Sequence, residues 1–255
     1  MKTLFYDDVL RFLYSSEMFQ QLTEDAQQAF LNQFARDEEF IKSIGVAVEF
    51  QDRLGKLEGS VPLVTPYEDE GLRDIRAIQR KSTLKDKAVT KGNVTYVPFH
   101  YKIDFVAPLI VGLDTSRGME EYEIQAKGLI LPLLELCAEQ KRDCIVATIN
   151  DRCLFPHGEL TSEGIQRLQY IKMENEQDMA LLFKQALYLF DAYKLKEEAE
   201  FMLLTANTFN PASIPDSLIE EFEIRGIELS AIALNSQHFE EAPLPFLKKV
   251  FFPNG

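Results

Sequence analysis

Several things are scarce in this chain of 255 residues. No apolar run approaches the roughly 20 residues needed to cross a bilayer, so membrane insertion is not expected. Cysteine is rare: Cys137, Cys144 and Cys153 make an odd number, with no CxxC pair and no histidine at metal-finger spacing. That excludes a disulfide scaffold or a zinc ribbon and fits a reducing, cytoplasmic setting. The opening MKTLFYDDVLRFLYSSEMF mixes acids into its apolar pattern and has no small-residue cleavage site, unlike a secretory signal. Positive charge is short as well, with 27 Lys and Arg against 41 Asp and Glu for a net charge of −14. Such a field repels phosphate backbones and anionic lipid, which argues against nucleic acid and membrane surfaces as partners. No P-loop, G-x-G-x-x-G or H-E-x-x-H occurs. Ser116 lies in DTSRG and not in a G-x-S-x-G elbow, and His100, His157 and His238 fall in no catalytic motif. The phosphate-cradling, zinc-protease and serine-hydrolase classes thus lose their signatures.

What is present reads as globular, with 46% hydrophobic and 27% charged residues. The charge is uneven: residues 1–105 carry 14 basic and 17 acidic side chains, and residues 106–255 carry 13 and 24. Two portions are therefore expected, a helical and loop-rich region over 1–104 and a second domain over 105–255. Helical spacing over the first forty residues (Leu4, Phe5, Val9, Phe12 and Leu13, then Ala26, Phe30, Phe34 and Ala35) predicts two short helices, the second started by Thr23. Gly55, Gly59, Pro62 and Pro66 make 45–70 loop-rich. A helix is expected over 72–84 and an edge strand over 93–101 (NVTYVPFHY), where Pro98 precludes a central position. Arg73, Arg76, Arg80, Lys81, Lys85, Lys87 and Lys91 gather against only Asp74 and Asp86, either as a solvated face or as a docking patch for an acidic partner.

From Phe105 the rhythm changes to short apolar runs separated by amphipathic segments, the mark of a parallel sheet with crossover helices. The runs are PLIVGLD (108–114), CIVATIN (144–150), FMLLTAN (201–207), IELSAIAL (227–234) and KVFF (249–252). Helices are expected over 124–140, with a kink at Pro132, and over 162–170, 178–193 and 215–225. The fold class is therefore α/β, a mostly parallel sheet flanked by helices.

In open α/β sheets ligands collect outside the carboxyl ends of the strands. The first run ends there in Asp114-Thr115-Ser116-Arg117-Gly118-Met119. Asp114 and Ser116, two positions apart, can offer a carboxylate and a hydroxyl to a hard cation such as Mg²⁺. Capping of the following helix is the alternative.

The segment PLIVGLDTSRGMEEYEIQAKGLILPLLELCAEQKRDCIVATIN resembles the opening of a von Willebrand factor A (VWA) domain, closest to the bacterial ViaA/CoxE branch. That family has an apolar strand ending in DTSGSM, a long Ala- and Leu-rich helix and a second strand after a polar turn, here Lys141-Arg142-Asp143. The resemblance extends through GELTSEGIQRLQYI, NEQDMALLFKQAL and FMLLTAN, over about residues 105–255. It implies a Rossmann-like fold and a metal-ion-dependent adhesion site built from an Asp-x-Ser-x-Ser loop, a second-loop Thr and a third-loop Asp. Asp114 and Ser116 match the first two ligands. The second serine is Gly118, Gln177 beside Asp178 falls where the threonine would be, and Ala206 or Asn207 falls at the third-loop Asp. The implied site is degenerate, empty or binding Mg²⁺ weakly, with Gln177, Asp178 and Asn207 as substitute oxygens. Arg117, where a small residue is usual, either salt-bridges to Asp114 in place of the cation or points into solvent.

The function the resemblance implies is protein recognition without chemistry of its own, through a loop surface of Asp114, Thr115, Ser116, Arg117, Gly118, Gln177, Asp178 and Asn207. ViaA/CoxE-type relatives are associated with MoxR-family AAA+ ATPases, so an adaptor role with such a partner is expected. A structural subunit of a larger assembly is the alternative. A haloacid-dehalogenase-like phosphatase could use Asp114 and Thr205, but it lacks the second Asp of the nucleophile loop and a late acidic pair to hold its cation.

Overall fold

The computed structural model describes residues 4–54, 89–91, 94–96, 108–192, 199–206, 211–235 and 244–253. The chain divides into two compact units, one of residues 1–61 with 107–255 and one of residues 62–106. In the smaller unit, β1 (Val89–Lys91) and β2 (Val94–Tyr96) form an antiparallel pair with Val89 opposite Tyr96 and Lys91 opposite Val94. The expected helix over 72–84 and the basic residues Arg73 to Lys87 lie outside the described residues, as does the rest of the expected strand over 93–101.

The division differs from the boundary expected at 104/105, and the reason is packing. Val9, Phe12, Leu13, Phe30, Phe34, Phe40 and Ile44 lie in one hydrophobic core with the sheet residues Leu109, Val111 and Leu113. The first helices are α1 (Tyr6–Ser15), α2 (Glu17–Gln20), α3 (Glu24–Phe34) and α4 (Glu38–Leu54). Thr23 caps α3 through the Ala26 amide at 3.4 Å, as its place before two acids predicts. Helix α4 corrects the loop-rich reading from Gly45: it runs through that glycine to Leu54 because Phe40, Ile44, Ala47 and Phe50 form one buried stripe.

The larger unit contains a six-stranded sheet: β3 (Leu109–Leu113), β4 (Cys144–Ala147), β5 (Arg152–Phe155), β6 (Glu200–Thr205), β7 (Glu228–Ala233) and β8 (Lys249–Phe251). Their spatial order is β5-β4-β3-β6-β7-β8, all neighbours parallel except the antiparallel β4–β5 hairpin. The expected run over 144–150 is thus a strand and a tight turn: the Thr148 hydroxyl accepts the Asn150 and Asp151 amides at 3.3 and 2.8 Å, and β5 returns beside β4. Between the strands run α5 (Glu123–Glu139), α6 (Ser162–Tyr170), α7 (Met179–Ala192) and α8 (Asp216–Ile224).

The period of two sorts the central strands onto two cores. Leu109, Val111, Leu113, Val146, Met202 and Leu204 face α1 to α6, whereas Ile110, Ile145, Phe201 and Leu203 face α7 and α8. Burial on both faces explains why these strands read as unbroken apolar runs. Helix α5 is one element through Pro132, buried nearly all round from Ala126 to Leu134. Gly128 lets α4 approach it, since a Cβ there would stand 2.5 Å from Val46 Cβ and 2.7 Å from the Ser43 carbonyl oxygen. At the amino ends of β4 and β6, buried Arg142 pairs with Glu200 at 3.0 Å. No helix among the described residues is long and apolar enough to cross a membrane.

Candidate functional site

The chain leaves β3 for β4 on one side of the sheet and later enters β6 on the other, so the order reverses between β3 and β6. At such a switch point the loops beyond the carboxyl ends part and leave a crevice suited to ligands. Asp114 directly follows β3 and Thr205 ends β6. The parallel register sets Leu113 beside Leu204, which brings the next residue of each strand together.

Asp114 is 3% exposed and its carboxylate is engaged on both oxygens. Oδ2 accepts the Thr205 hydroxyl at 2.7 Å and Oδ1 accepts the Ser116 amide at 2.9 Å, while the Asp114 amide donates to the Leu204 carbonyl at 3.0 Å. The first and third loops are thereby tied together, and the Asp114 side chain closes its own turn in the manner of an Asx turn. Burying a carboxylate is costly unless donors meet it, and here they do.

The second loop, between α6 and α7, joins through Asn175. Its Nδ2 donates to Thr115 Oγ1 at 2.8 Å, its amide to the Thr115 carbonyl at 3.0 Å, and its own carbonyl accepts the Arg117 amide at 3.1 Å. These bonds form a short parallel bridge between Ser116 and Asn175. Asn150 of the β4–β5 turn donates to Asn175 Oδ1 at 3.3 Å, so a chain of neutral polar groups links three loops. Beside Asn150 lies an open cleft of about 210 Å³ lined by Thr148, Asp151, Arg152 and Gln185. Beyond Ser116 the chain makes a 3₁₀ turn over Arg117–Tyr122 whose buried Met119 sulfur lies 2.9 Å from the Ala206 nitrogen.

Other residues expected at this surface have different places. Arg117 is exposed and its Nε donates to the Glu174 carbonyl at 3.4 Å, so the expected ion pair with Asp114 is not formed. The carboxylate it would have met is filled by Thr205 and Ser116. Asp178 Oδ1 accepts the Leu181 amide at 2.9 Å and caps α7, which commits it to the helix. Gly118 and Gln177 are exposed, and Asn207 lies outside the described residues. Sequence reasoning gave no role to Asn175 or Asn150 and treated Thr205 only as a phosphatase candidate. The available signal was positional: each sits in a loop or strand end at the carboxyl edge of the sheet.

Among the described residues the donor set does not fit a Mg²⁺ shell. Gly118 and Ala206 carry no side-chain oxygen, Asp178 caps a helix, and both Asp114 oxygens already accept protein hydrogen bonds. Six oxygens in near-octahedral array would be needed. Among the described residues no group of three or more His, Cys, Asp or Glu side chains is arranged to hold a metal ion. Burial pushes the Cys153 thiol up to about 12, and a hydrogen bond with Cys137, with burial, raises Cys144 well above the usual thiol range, which makes these two thiols poor nucleophiles.

The electrostatic character of the edge comes from its rim. Glu120 and Glu121 on the 3₁₀ turn and Glu174, Glu176 and Asp178 on the second loop are all exposed, against Arg117 and Lys172. Lys172 is drawn to Glu123 at 3.3 Å, which raises its own affinity for a proton.

No family model matches the sequence, and no curated protein matches it. A solved structure described as von Willebrand factor type A from Catenulispora acidiphila is similar, with a TM-score of 0.42 and 12% identity over 57% of this chain and 38% of that one. The present chain therefore spans less than two thirds of that protein's length.

Proposed function

We propose that this protein is a non-catalytic, VWA-like docking module that works without a fully formed Mg²⁺ site and presents the carboxyl edge of its sheet to a basic protein surface. The observation that carries the reading is the exposed acidic rim, Glu120, Glu121, Glu174, Glu176 and Asp178, set around a carboxylate that is itself closed off. A catalytic carboxylate needs access to its substrate, and Asp114 is buried with both oxygens bonded. A docking edge needs instead a fixed shape and an exposed field, and the bonds among Thr115, Asn150 and Asn175 supply the first.

The VWA resemblance makes a MoxR-family AAA+ ATPase the first partner to test, with the module as its adaptor. Opposite charge steers encounter and mainly sets the association rate. Association of the full chain with a purified MoxR-type ATPase, followed by interferometry from about 50 to 500 mM salt across which screening shortens to a few ångströms, is expected to slow about tenfold or more. An association rate indifferent to salt contradicts the electrostatic reading. Stoichiometric, salt-independent incorporation into a larger complex would favour the structural-subunit alternative.

A further inference from the structure

We infer that Thr205 takes the place a divalent cation would fill at this site, so that the switch-point loops are held by a protein hydroxyl and are indifferent to divalent cations. A cation in such a crevice joins oxygen atoms of separate loops and neutralises a carboxylate. Here the Thr205 side chain joins the Asp114 carboxylate of the first loop to β6. Thr205 is fully buried, ends β6 and donates its hydroxyl to Asp114 Oδ2 at 2.7 Å, a length typical of a charge-assisted bond. Its β-branched side chain has few χ1 states, so the strand that places it also aims it. The Ser116 amide holds the other oxygen, and the Asp114 amide returns to the Leu204 carbonyl. The first loop is thus bonded twice to β6, through the backbone and through the carboxylate.

The chemistry of neighbouring positions agrees. Ala206, next along from Thr205 and one of the two positions, with Asn207, at which the resemblance places a carboxylate, carries a buried methyl group, and its amide nitrogen faces the Met119 sulfur at 2.9 Å. The methyl group of Ala206 and the missing side-chain oxygen of Gly118 leave the crevice short of hard donors, and the Met119 sulfur beside Ala206 does not suit Mg²⁺. The consequence for docking, a surface that is formed whether or not divalent cations are present, rests on the function proposed above. The role of Thr205 does not, and it is tested on the free chain.

The test is hydrogen exchange and thermal unfolding of the full chain in EDTA and in millimolar MgCl₂ or MnCl₂, for the wild type, Thr205→Ser and Thr205→Val. The wild type is expected to show the same Tm and the same exchange at residues 114–119 in all three solutions. Thr205→Ser, which keeps the hydroxyl, should retain that protection. Thr205→Val, nearly isosteric but without the donor, should exchange about tenfold faster or more at these amides, one factor of ten corresponding to a typical lost hydrogen bond. A wild-type protein whose Tm rises or whose loop exchange slows in Mg²⁺ or Mn²⁺ overturns the inference. So does a valine variant with wild-type protection, or a serine variant as unprotected as the valine one. Should the valine variant not fold, the cation response of the wild type and the serine comparison still decide the matter. Loss of partner binding in every solution with exchange as expected would count against the docking reading alone.

Discussion

Asp114 and Gly128 show how single residues set the terms for their surroundings. The carboxylate at 114 is tolerated in the interior because two donors meet it, the Ser116 amide two residues away and a hydroxyl that local sequence does not name. Its partner Thr205 is 91 positions away in sequence and becomes a neighbour only through the parallel register of β3 and β6. Arg117, three positions from Asp114, looked the nearer partner, yet its side chain leaves the crevice for the Glu174 carbonyl. Sequence proximity supplies candidates without fixing direction. At Gly128 the constraint is steric: a methyl group would press on Val46 and on the Ser43 carbonyl, which is backbone of α4 and cannot rotate away. Gly128→Ala is therefore expected to destabilise by roughly 1–3 kcal/mol despite its better helix propensity. Thermal unfolding checks this, and a Tm at or above the wild type would show that α4 and α5 are not held at that distance.

Among the elements, the central strands and the edge strand β8 were legible and the edge strand β5 was not. Runs such as PLIVGLD and FMLLTAN announce β3 and β6 because both faces are covered. Strand β5 alternates, with Cys153 and Phe155 buried and Arg152 and Leu154 exposed, and four residues of alternation do not stand out beside longer apolar runs. The second half of helix α4 was hidden because Gly55, Gly59, Pro62 and Pro66 made the whole stretch from Gly45 read as loop, yet Gly45 itself weakens a helix by only about 1 kcal/mol and a buried stripe supports it. The elements are also tied by charge. Glu123 at the start of α5 meets Lys127 of the same helix at 2.7 Å and Lys172 beyond α6 at 3.3 Å. Burial raises its affinity for a proton, but the two lysines outweigh burial and hold the carboxyl below the usual glutamate range. A carboxyl lowered in the folded state stabilises the fold above its unfolded pKa, and that contribution is lost as pH falls through the lowered value. Between about pH 5 and pH 3 the wild type should lose stability more steeply than Glu123→Gln. Urea midpoints across that window test it, and parallel curves would mean that the three charges do not interact.

For the molecule as a whole, net charge and topology together locate the function proposed. The surplus of acid, 24 acidic against 13 basic residues over 106–255, was visible at once in the sequence. That five of these acids lie at the carboxyl edge of the sheet required the fold, because the 3₁₀ turn and the second loop are brought together by long-range bonds, among them the Ser116–Asn175 bridge. The expected two-part division missed that the first four helices share a core with the sheet, since packing partners more than fifty residues apart leave no local mark. In the proposed function the rim is the source of recognition and the crevice a closed support that needs no cation. The most direct measurement is partner association by the wild type and by a Glu174→Lys, Glu176→Lys variant, each in EDTA and in excess Mg²⁺. The expected result is equal wild-type affinity in both solutions and an association rate lowered about tenfold by the charge reversal, with dissociation little changed. Binding abolished by EDTA, or a reversed rim that associates as fast as the wild type, would contradict it.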